Sequence, residues 1–213
     1  MSEFVSVTKN LYNKHFIYNK NVNITKLRLT EEALYSMNNP EGSDNLVKII
    51  KENIKTNKTN KTIIITDGTA NVGGTTLNLG RFFKVNAIEI NPINCEALKQ
   101  NVKEYKLEKN VKVFCDNYLN LIDKLEQDVV ILDPPWGGPN YKTKKQLNLY
   151  LDNINLVDIV NKLNKTKLVL LKVPKNYNIN YFLAKINNNN IKIYKIYKNN
   201  KYLSYLLIAV INE

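Results

Sequence analysis

The chain has few of the residues that build metal sites and disulfide frameworks. Its 213 residues include two cysteines and one histidine. Cys95 and Cys115 lack metal-ligand spacing, and two thiols cannot make a disulfide framework, so we interpret both as small residues in or near the core. The lone His15 is expected at the surface or half buried. We therefore predict no metal site and a reducing compartment.

Long apolar runs are also missing. The longest, such as residues 206–211, fall far short of the roughly 18 residues that a helix needs to span a bilayer. The first residues contain no basic segment leading into an apolar one, so no secretory signal is recognisable. These features predict an intracellular protein, cytoplasmic or nuclear, without a membrane partner.

Acidic residues are outnumbered by basic ones. Lysine and arginine total 31 against 19 aspartates and glutamates, which gives a formal net charge of +12. A basic chain suggests a polyanionic partner, because lysines that meet phosphates release counterions. Tracts such as residues 57–61 and 187–190 suggest a second explanation, since an AT-rich genome would enrich Asn and Lys without selection for binding. Charge alone leaves both explanations open.

The secondary-structure pattern changes near residue 60. Residues 1–60 carry helix-like stretches, the clearest being residues 46–50 with Ser43 as candidate N-cap, and predict a small helical N-terminal extension. Residues 61–213 alternate strands and helices, which implies a parallel sheet with right-handed crossovers. The predicted strands are residues 61–67, 85–90, 111–114, 128–132 and 167–173, and the predicted helices are residues 75–83, 94–105, 119–125 and 154–163.

The C-terminal segment has a different pattern. Two β-rich runs, residues 191–197 and 202–211, flank residues 198–201 and predict an antiparallel hairpin. A mostly parallel α/β sheet closed by such a hairpin is typical of the Rossmann-like class I methyltransferases that use S-adenosylmethionine (SAM). We therefore predict a seven-stranded sheet of this class in residues 61–213.

Several polar side chains follow successive predicted strands, where open α/β sheets bind ligands. The first strand leads into a glycine-bearing turn, residues 67–75, in which Asp67 would repel phosphates but suits the ammonium of SAM. Glu89 is placed to accept ribose hydroxyls, and Asp116 and Asn117 to hold an adenine. The predicted cofactor residues are Asp67, Gly68, Thr69, Gly73, Thr75, Glu89, Asn91, Asp116, Asn117 and Asp133.

Each of these acids also has a purely structural interpretation. Asp67 and Asp116 could cap a turn or helix, and Glu89 could be a solvated strand end. Nicotinamide-binding enzymes also place an acid at the position of Glu89, so that residue alone does not distinguish the two cofactors.

The loop DPPWGGP, residues 133–139, directly follows the apolar run at residues 129–132. An exocyclic amine of a nucleobase is a weak nucleophile, because its lone pair is delocalised into the ring. The carboxylate of Asp133 and the carbonyl of Pro134 can accept the amine's hydrogens, while the fixed proline φ angles hold the loop. The next aromatic residue can stack on the base. The predicted catalytic residues are Asp133, Pro134, Pro135 and Trp136.

These motifs resemble the trimethylguanosine synthase-type cap methyltransferases. The resemblance depends on DGTANVGGT at residues 67–75, AIEINP at residues 87–92, Gln100-Asn101 with Tyr105, and DPPWGGPNY at residues 133–141. It covers about residues 62 to 210, and Leu34-Tyr35-Ser36 more faintly resembles the start of the family's helical extension. Generic amine methyltransferases usually have Tyr or Phe after the two prolines and lack the double glycine.

The resemblance implies methylation of the exocyclic amine (N2) of a 7-methylguanosine cap on RNA, giving di- or trimethylguanosine, with SAM converted to S-adenosylhomocysteine. Trp136 would stack on the positively charged 7-methylguanine and gain a cation–π term of roughly 0.5–2 kcal/mol. We expect a monomer that binds capped RNA. The implied substrate-binding residues are Asn101, Trp136, Gly137, Gly138, Pro139, Tyr141 and Lys142, with Lys144 and Lys145 as further candidates for the cap triphosphate.

Three positions depart from the family's pattern. The family often has Ser in place of Asp133, Gly in place of Asn71 and Asp in place of Asn117. Asn tolerates positive φ, so the change at Asn71 is mild. Asp133 favours one alternative, a methyltransferase for an internal adenine or guanine amine in RNA or DNA. A second alternative is a catalytically silent, cap-binding subunit with the methyltransferase fold.

Overall fold

The structure is a computed structural model that describes residues 4–54, 62–198 and 201–212. It contains two compact units, residues 1–128 and 129–213. The predicted domain boundary at residues 60 and 61 lies outside the described residues, so the division into an extension and a main domain stays a prediction.

The main sheet has seven strands and is mostly parallel. The strands are β1 Ile64–Asp67, β2 Lys84–Ile88, β3 Val111–Phe114, β4 Val129–Leu132, β5 Tyr150–Leu151, β6 Ile154–Asn155, β7 Leu168–Pro174, β8 Ile191–Lys198 and β9 Tyr202–Ile211. The order in the main sheet is β3-β2-β1-β4-β7-β9-β8, with β7–β9 and β9–β8 antiparallel. The predicted fold class is thereby confirmed, including the C-terminal antiparallel pair β8–β9, while residues 199 and 200 lie outside the described part.

In the first unit, three parallel strands carry the helices around them. β1 pairs with β2 and β2 with β3, so that Asp67 lies beside Ala87 and Ala87 beside Val113. Ile65 of β1 and Val85, Ala87 and Ile88 of β2 are buried, whereas Ile64 at the start of β1 is partly exposed. The helices of this unit are α1 Lys9–His15, α2 Ala33–Ser36, α3 Pro40–Asn53, α4 Thr76–Leu79, α5 Pro92–Glu104 and α6 Tyr118–Leu121, with a 3-10 turn at Ile24–Lys26.

The start of α3 corrects a sequence prediction. Asn39, not Ser43, is the N-cap: its side chain accepts the Gly42 N–H, and Pro40 occupies the first helical position, where no N–H is needed. Ser43 lies inside the helix, and its hydroxyl donates to the Gly74 carbonyl at 2.9 Å. The Asn-Pro pair fixes the helix start one turn earlier than the apolar pattern indicated.

The helix predicted at residues 75–83 is much shorter in the structure. It ends at Leu79, with Gly80 as C-cap. A β-carbon on Gly80 would lie 2.6 Å from a methyl of Val111, so the close approach of this turn to β3 requires glycine. The helix predicted at residues 119–125 is also shorter, α6 at Tyr118–Leu121.

In the second unit, β4 and β7 form a buried parallel pair with β9 antiparallel to β7. Ile154 and Asn155, predicted to begin a helix, instead form β6, which pairs with β5, and Asn155 caps the helix that follows. The sequence patterns did not predict β5 or the helix at Ile179–Lys185. The helices are α7 Leu156–Lys162 and α8 Ile179–Lys185, with a 3-10 helix at Pro139–Thr143.

Cys95 and Cys115 form a disulfide, with Cα atoms 5.6 Å apart. Cys95 lies in the buried face of α5, as predicted, but Cys115 is exposed just after β3, so the interpretation of both as small residues in or near the core is wrong, and the paired cysteines do not support the predicted reducing compartment. The crossover from α5 to β3 brings the two positions together, and sequence spacing carried no signal for this. His15, expected at the surface or half buried, is buried, and this burial lowers its pKa.

Across residues 4–54, 62–198 and 201–212, no helix is long and apolar enough to cross a bilayer. The same residues contain no group of three or more His, Cys, Asp or Glu side chains arranged to hold a metal ion.

Candidate active site

The turn after β1 places a buried carboxylate beside a backbone with two positive φ angles. Asp67 is 3% exposed at the end of β1 and accepts a hydrogen bond from Thr76 Oγ1 at 2.7 Å. Gly68 and Thr69 form the turn that follows. Asn71 has φ 52° and Gly73 has φ 109°, so the expectation that Asn71 tolerates a positive φ is confirmed.

Glu89 follows β2 and is held from both sides. One carboxylate oxygen accepts the Asn71 N–H at 2.7 Å and the other accepts the Asn91 N–H at 2.8 Å. Burial raises the pKa of Glu89, while these two hydrogen bonds act to lower it. Glu89 is therefore a fixed, buried acid rather than a solvated strand end, and the same bonds link the glycine-bearing turn to β2.

Asp116 and Asn117 follow β3 at the surface. Asp116 accepts from the Asn117 N–H and from the Asn120 amide, and these bonds lower the pKa of the carboxyl. Asn117 caps α6 by accepting the Leu119 N–H. Asn91 likewise caps α5. The capping interpretation describes the contacts that these side chains make, and their role toward a cofactor stays a prediction.

The donors and acceptors of the first unit fit SAM better than a dinucleotide. Asp67 and Glu89 are buried acids at the carboxyl ends of paired strands, suited to an ammonium and to a ribose diol. A pyrophosphate would meet repulsion from Asp67 at the turn where dinucleotide enzymes bind it.

Residues 36–38 of the first unit pack against the glycine-bearing turn. Ser36 Oγ accepts a hydrogen bond from the Asn71 amide at 3.0 Å, and Asn38 donates to Thr75 Oγ1 at 3.2 Å. A β-carbon on Gly74 would lie 2.5 Å from the Asn38 carbonyl oxygen, so the segment and the turn touch backbone to backbone. The faint resemblance at residues 34–36 was the available signal.

Asn101, predicted to bind substrate, is a fully buried residue of α5. Its amide nitrogen donates to the carbonyls of Arg28 and Val72, and its oxygen accepts the Arg28 N–H. Both amide hydrogens are thereby used by backbone carbonyls, so we leave Asn101 out of the proposed substrate site.

In the second unit, Asp133 follows β4 and pairs with Lys172, which is not among the predicted site residues. Lys172 Nζ lies 2.6 Å from Asp133 Oδ2. Protein atoms surround the carboxyl, although a quarter of its side-chain surface remains accessible. Burial raises the pKa of Asp133; Lys172 acts to lower it, as does the nearby indole N–H of Trp136, which falls short of hydrogen-bond geometry.

Trp136 is half-buried and packs edge-on against Tyr141, with ring centroids 5.1 Å apart and an interplanar angle of 80°. Gly137 and Gly138 have φ of 91° and 70°. A β-carbon built on either glycine would meet nothing within 4 Å. These glycines therefore give the loop positive φ angles and leave open space beside its backbone.

The rest of the loop forms a 3-10 turn. Pro139 opens this turn, and Asn176, in the segment after β7, fixes it by donating to the carbonyls of Tyr141 and Lys144. Lys142 Nζ lies 5.9 Å from the centre of the Tyr141 ring. Lys142, Lys144 and Lys145 are all exposed, so this face of the loop is basic.

Comparison with known proteins identifies relatives that match part of their length. The uncharacterized protein L320 of Acanthamoeba polyphaga mimivirus is 41% identical over 145 residues, which are 65% of this chain and 56% of L320. The trimethylguanosine synthase of Schizosaccharomyces pombe is 29% identical over 92 residues, 40% of this chain and 38% of that enzyme. The chain thus spans little more than half of the first relative and under two fifths of the second.

Among solved structures, the N-terminal domain of human METTL16 in complex with SAH aligns with a TM-score of 0.58 at 12% identity, covering 80% of this chain and 70% of that one. This likeness shows the Rossmann-like fold of SAM-dependent methyltransferases. Residues 61–213 match the family described as RNA cap guanine-N2 methyltransferase, a range that includes the strand-end acids and the whole Asp133 loop. The chain therefore belongs to the RNA cap guanine-N2 methyltransferase family.

Proposed function

We propose that the protein is a SAM-dependent RNA cap methyltransferase that methylates the N2 amine of a 7-methylguanosine cap. The observation that carries this proposal is the loop at residues 133–138. It combines an acceptor carboxylate, a half-buried tryptophan and two glycines at which an added β-carbon would meet nothing within 4 Å. The family match at residues 61–213 supports it.

The cofactor residues of this proposal lie in the first unit. Asp67 would hold the ammonium, and Glu89 the ribose hydroxyls, because both are buried acids already fixed by hydrogen bonds. Asp116 and Asn117 would contact the adenine. When bound, SAM would supply a sulfonium methyl: the amine lone pair would form the N–C bond as the C–S bond breaks with its electron pair going to sulfur, and the proton lost by the amine would pass to solvent.

The chain's own contribution is to hold the amine. Asp133 and the carbonyl of Pro134 would each accept a hydrogen bond from one amine N–H, which draws the lone pair out of conjugation with the ring and directs it away from the loop. The two prolines keep the loop in place without needing backbone donors. Positioning of this kind can supply most of the rate, since the sulfonium is already a good electrophile.

Trp136 would provide the surface on which the base stacks. A 7-methylguanine is cationic, and indole has the most favourable aromatic face for a cation. Tyr141, edge-on against the indole, would hold it in place. The exposed Lys142, Lys144 and Lys145 would meet the cap triphosphate.

One observation favours a second function. Asp133 stands where the cap enzymes often have Ser, and Asp-Pro-Pro also occurs in methyltransferases for internal adenines and guanines. The alternative is therefore methyl transfer to an internal amine in RNA or DNA. A catalytically silent, cap-binding subunit is less well supported, because a silent subunit has no need of the buried acids Asp67 and Glu89.

Transfer of radiolabelled methyl from SAM to three matched short RNAs tests the proposal. One RNA carries a 7-methylguanosine cap, one an unmethylated guanosine cap, and one no cap. We expect transfer confined to the 7-methylated cap, with label recovered in dimethyl- or trimethylguanosine after digestion. Equal transfer to the uncapped RNA would show that the methylated position is an internal base and not the cap. SAM binding without transfer to any RNA, or to a matched DNA, would contradict both enzymatic functions.

A further inference from the structure

Lys172 is an unusual residue for the strand that contains it. All seven residues of β7 are buried, and Lys172 is the charged one among them, at 8% exposure. Its neighbours Leu171 and Val173 are completely buried. An ammonium is costly to bury unless a partner compensates its charge.

The partner of Lys172 is the carboxylate that the proposed function needs. Its ammonium lies 2.6 Å from Asp133 Oδ2. It also lies 5.5 Å from the centre of the Trp136 ring and 5.1 Å from that of Tyr205 on β9. The two aromatic rings and the buried strand restrict where the lysine can go, so the ammonium is a fixed charge rather than a mobile one.

We propose that Lys172 is a positioning residue that keeps Asp133 ionised and oriented, so that its carboxylate accepts a hydrogen bond from the substrate amine. This inference depends on the proposed role of Asp133 in methyl transfer, whichever nucleobase carries the amine. Lys172 itself touches neither the substrate nor the cofactor in this proposal.

The chemistry of the acceptor explains why a counter-ion is needed. An ionised carboxylate only accepts hydrogen bonds, whereas a protonated one carries an O–H that would compete with the amine. Burial alone favours the protonated form of Asp133, and Lys172 opposes it. In the described part of the second unit, Lys172 on β7 is the charged group that faces Asp133, while Tyr205 on β9 faces Lys172.

A charged acceptor at position 133 needs a counter-ion, whereas a neutral acceptor does not. A serine hydroxyl at position 133 would accept a hydrogen bond without a counter-ion, and a lysine beside it would then be a buried charge without its carboxylate partner. Replacing Asp133 with serine should therefore also remove the need for a lysine at position 172.

The first test is Lys172→Met, which keeps an unbranched side chain but removes the charge. We expect kcat to fall at least tenfold at neutral pH, with the KM for SAM unchanged and the acid limb of the pH profile moved to higher pH. Lys185→Met is the matched control, because Lys185 is exposed on α8 and loses the same charge. Wild-type kcat and an unmoved acid limb in Lys172→Met would overturn the proposal.

The second test is the double variant Asp133→Ser with Lys172→Met. We expect its kcat to exceed that of Lys172→Met, because the neutral hydroxyl no longer needs the lysine. A merely structural role for Lys172 predicts the opposite, a double variant as slow as the slower single one, and that result would also overturn the proposal. Circular dichroism checks that each variant is folded.

A third measurement does not depend on turnover. The carboxyl carbons of aspartate-labelled protein are titrated by NMR, and Asp133→Asn identifies the signal of Asp133. We expect its pKa to be higher in Lys172→Met than in the wild type, and equal values would overturn the proposal. If the wild type methylates only an internal base, the cap function fails while the Lys172 comparison proceeds on that substrate. If the wild type is inactive, the titration decides.

Discussion

Trp136 is the residue on which cap recognition depends most. Its indole is half-buried against Tyr141, so its orientation is set before the base arrives. We expect Trp136→Ala to raise the KM for 7-methyl-capped RNA by about 2- to 30-fold, the equivalent of a lost cation–π term of roughly 0.5–2 kcal/mol. Steady-state kinetics on the 7-methylated and unmethylated caps measure this change.

Trp136→Phe is the matched control, because it keeps a flat ring with a weaker electrostatic attraction for a cation. It should retain most of the stacking and lose part of the preference for the 7-methylated cap. A Trp136→Ala variant with unchanged KM and unchanged preference would show that the ring does not stack on the base.

Glu89 offers a prediction with a defined pH dependence. Its two oxygens accept two backbone N–H groups, so Glu89→Gln would turn an amide donor toward one of them. The resulting mismatch should weaken SAM binding by about 1–3 kcal/mol, measured by calorimetry. Glu108→Gln, an exposed glutamate of the same unit, is the control and should bind SAM normally.

The sign of the pH effect follows from burial. The pKa of Glu89 is raised, so this side chain takes up its proton at a higher pH than an exposed glutamate does. We expect SAM affinity in the wild type to fall as the pH decreases through that raised pKa, because a protonated acid accepts ribose hydroxyls less well. The affinity of Glu89→Gln should stay flat over the same interval, and a parallel decline would assign the effect to another group.

At the scale of elements, the disulfide ties the start of α5 to the end of β3. It closes a loop with a sequence separation of 20 residues. Restricting the unfolded chain over a loop of this length stabilises the fold by about 3 kcal/mol. We expect a reducing agent to lower the free energy of unfolding by about this amount, measured by urea titration.

Cys115→Ser tests this effect without disturbing the core. Cys115 is exposed, and the remaining Cys95 thiol can stay buried as a small apolar group. The variant should match the reduced wild type in stability and should not respond to reductant. A reductant effect of equal size in Cys115→Ser would show that the crosslink is not its source.

The sequence predicted the elements whose patterns are strongest and missed those fixed by distant contacts. The buried strands of the sheet appear as short apolar runs, and β3 and β9 have the predicted bounds. The two-residue strands β5 and β6 are too short for a periodicity to show. The start of α3 was predicted too late, at Ser43, because the prediction followed the apolar pattern, whereas the Asn39-Pro40 pair determines where the helix begins.

Part of the candidate site was predictable for the same reason. Asp67 ends β1, and Glu89 and Asp133 directly follow β2 and β4; the end of a strand can be identified in the sequence. Lys172 could not be predicted, because it lies 39 positions from Asp133 inside an otherwise apolar run and is recognised only when β7 is placed beside β4. Asn101 illustrates the converse, a motif residue that the fold uses for backbone contacts.

For the whole molecule, the net charge of +12 has two explanations that a salt titration separates. Each phosphate neutralised on single-stranded RNA contributes a slope of about −0.7 to the logarithm of affinity against the logarithm of salt concentration. Specific phosphate contacts by Lys142, Lys144 and Lys145 therefore predict that replacing all three with Gln reduces the slope by about 2. A lysine excess of purely compositional origin predicts that any three exposed lysines are equivalent.

The matched control replaces three exposed lysines that are distant in sequence from the loop, Lys9, Lys14 and Lys20, so that both triple variants have the same net charge. Fluorescence titrations with capped RNA from low to physiological salt give each slope. A large reduction of the salt slope in the loop variant alone would show that the basic loop contacts phosphates. Equal small losses in both variants would leave the charge as general attraction, since long-range fields depend on net charge rather than on particular side chains.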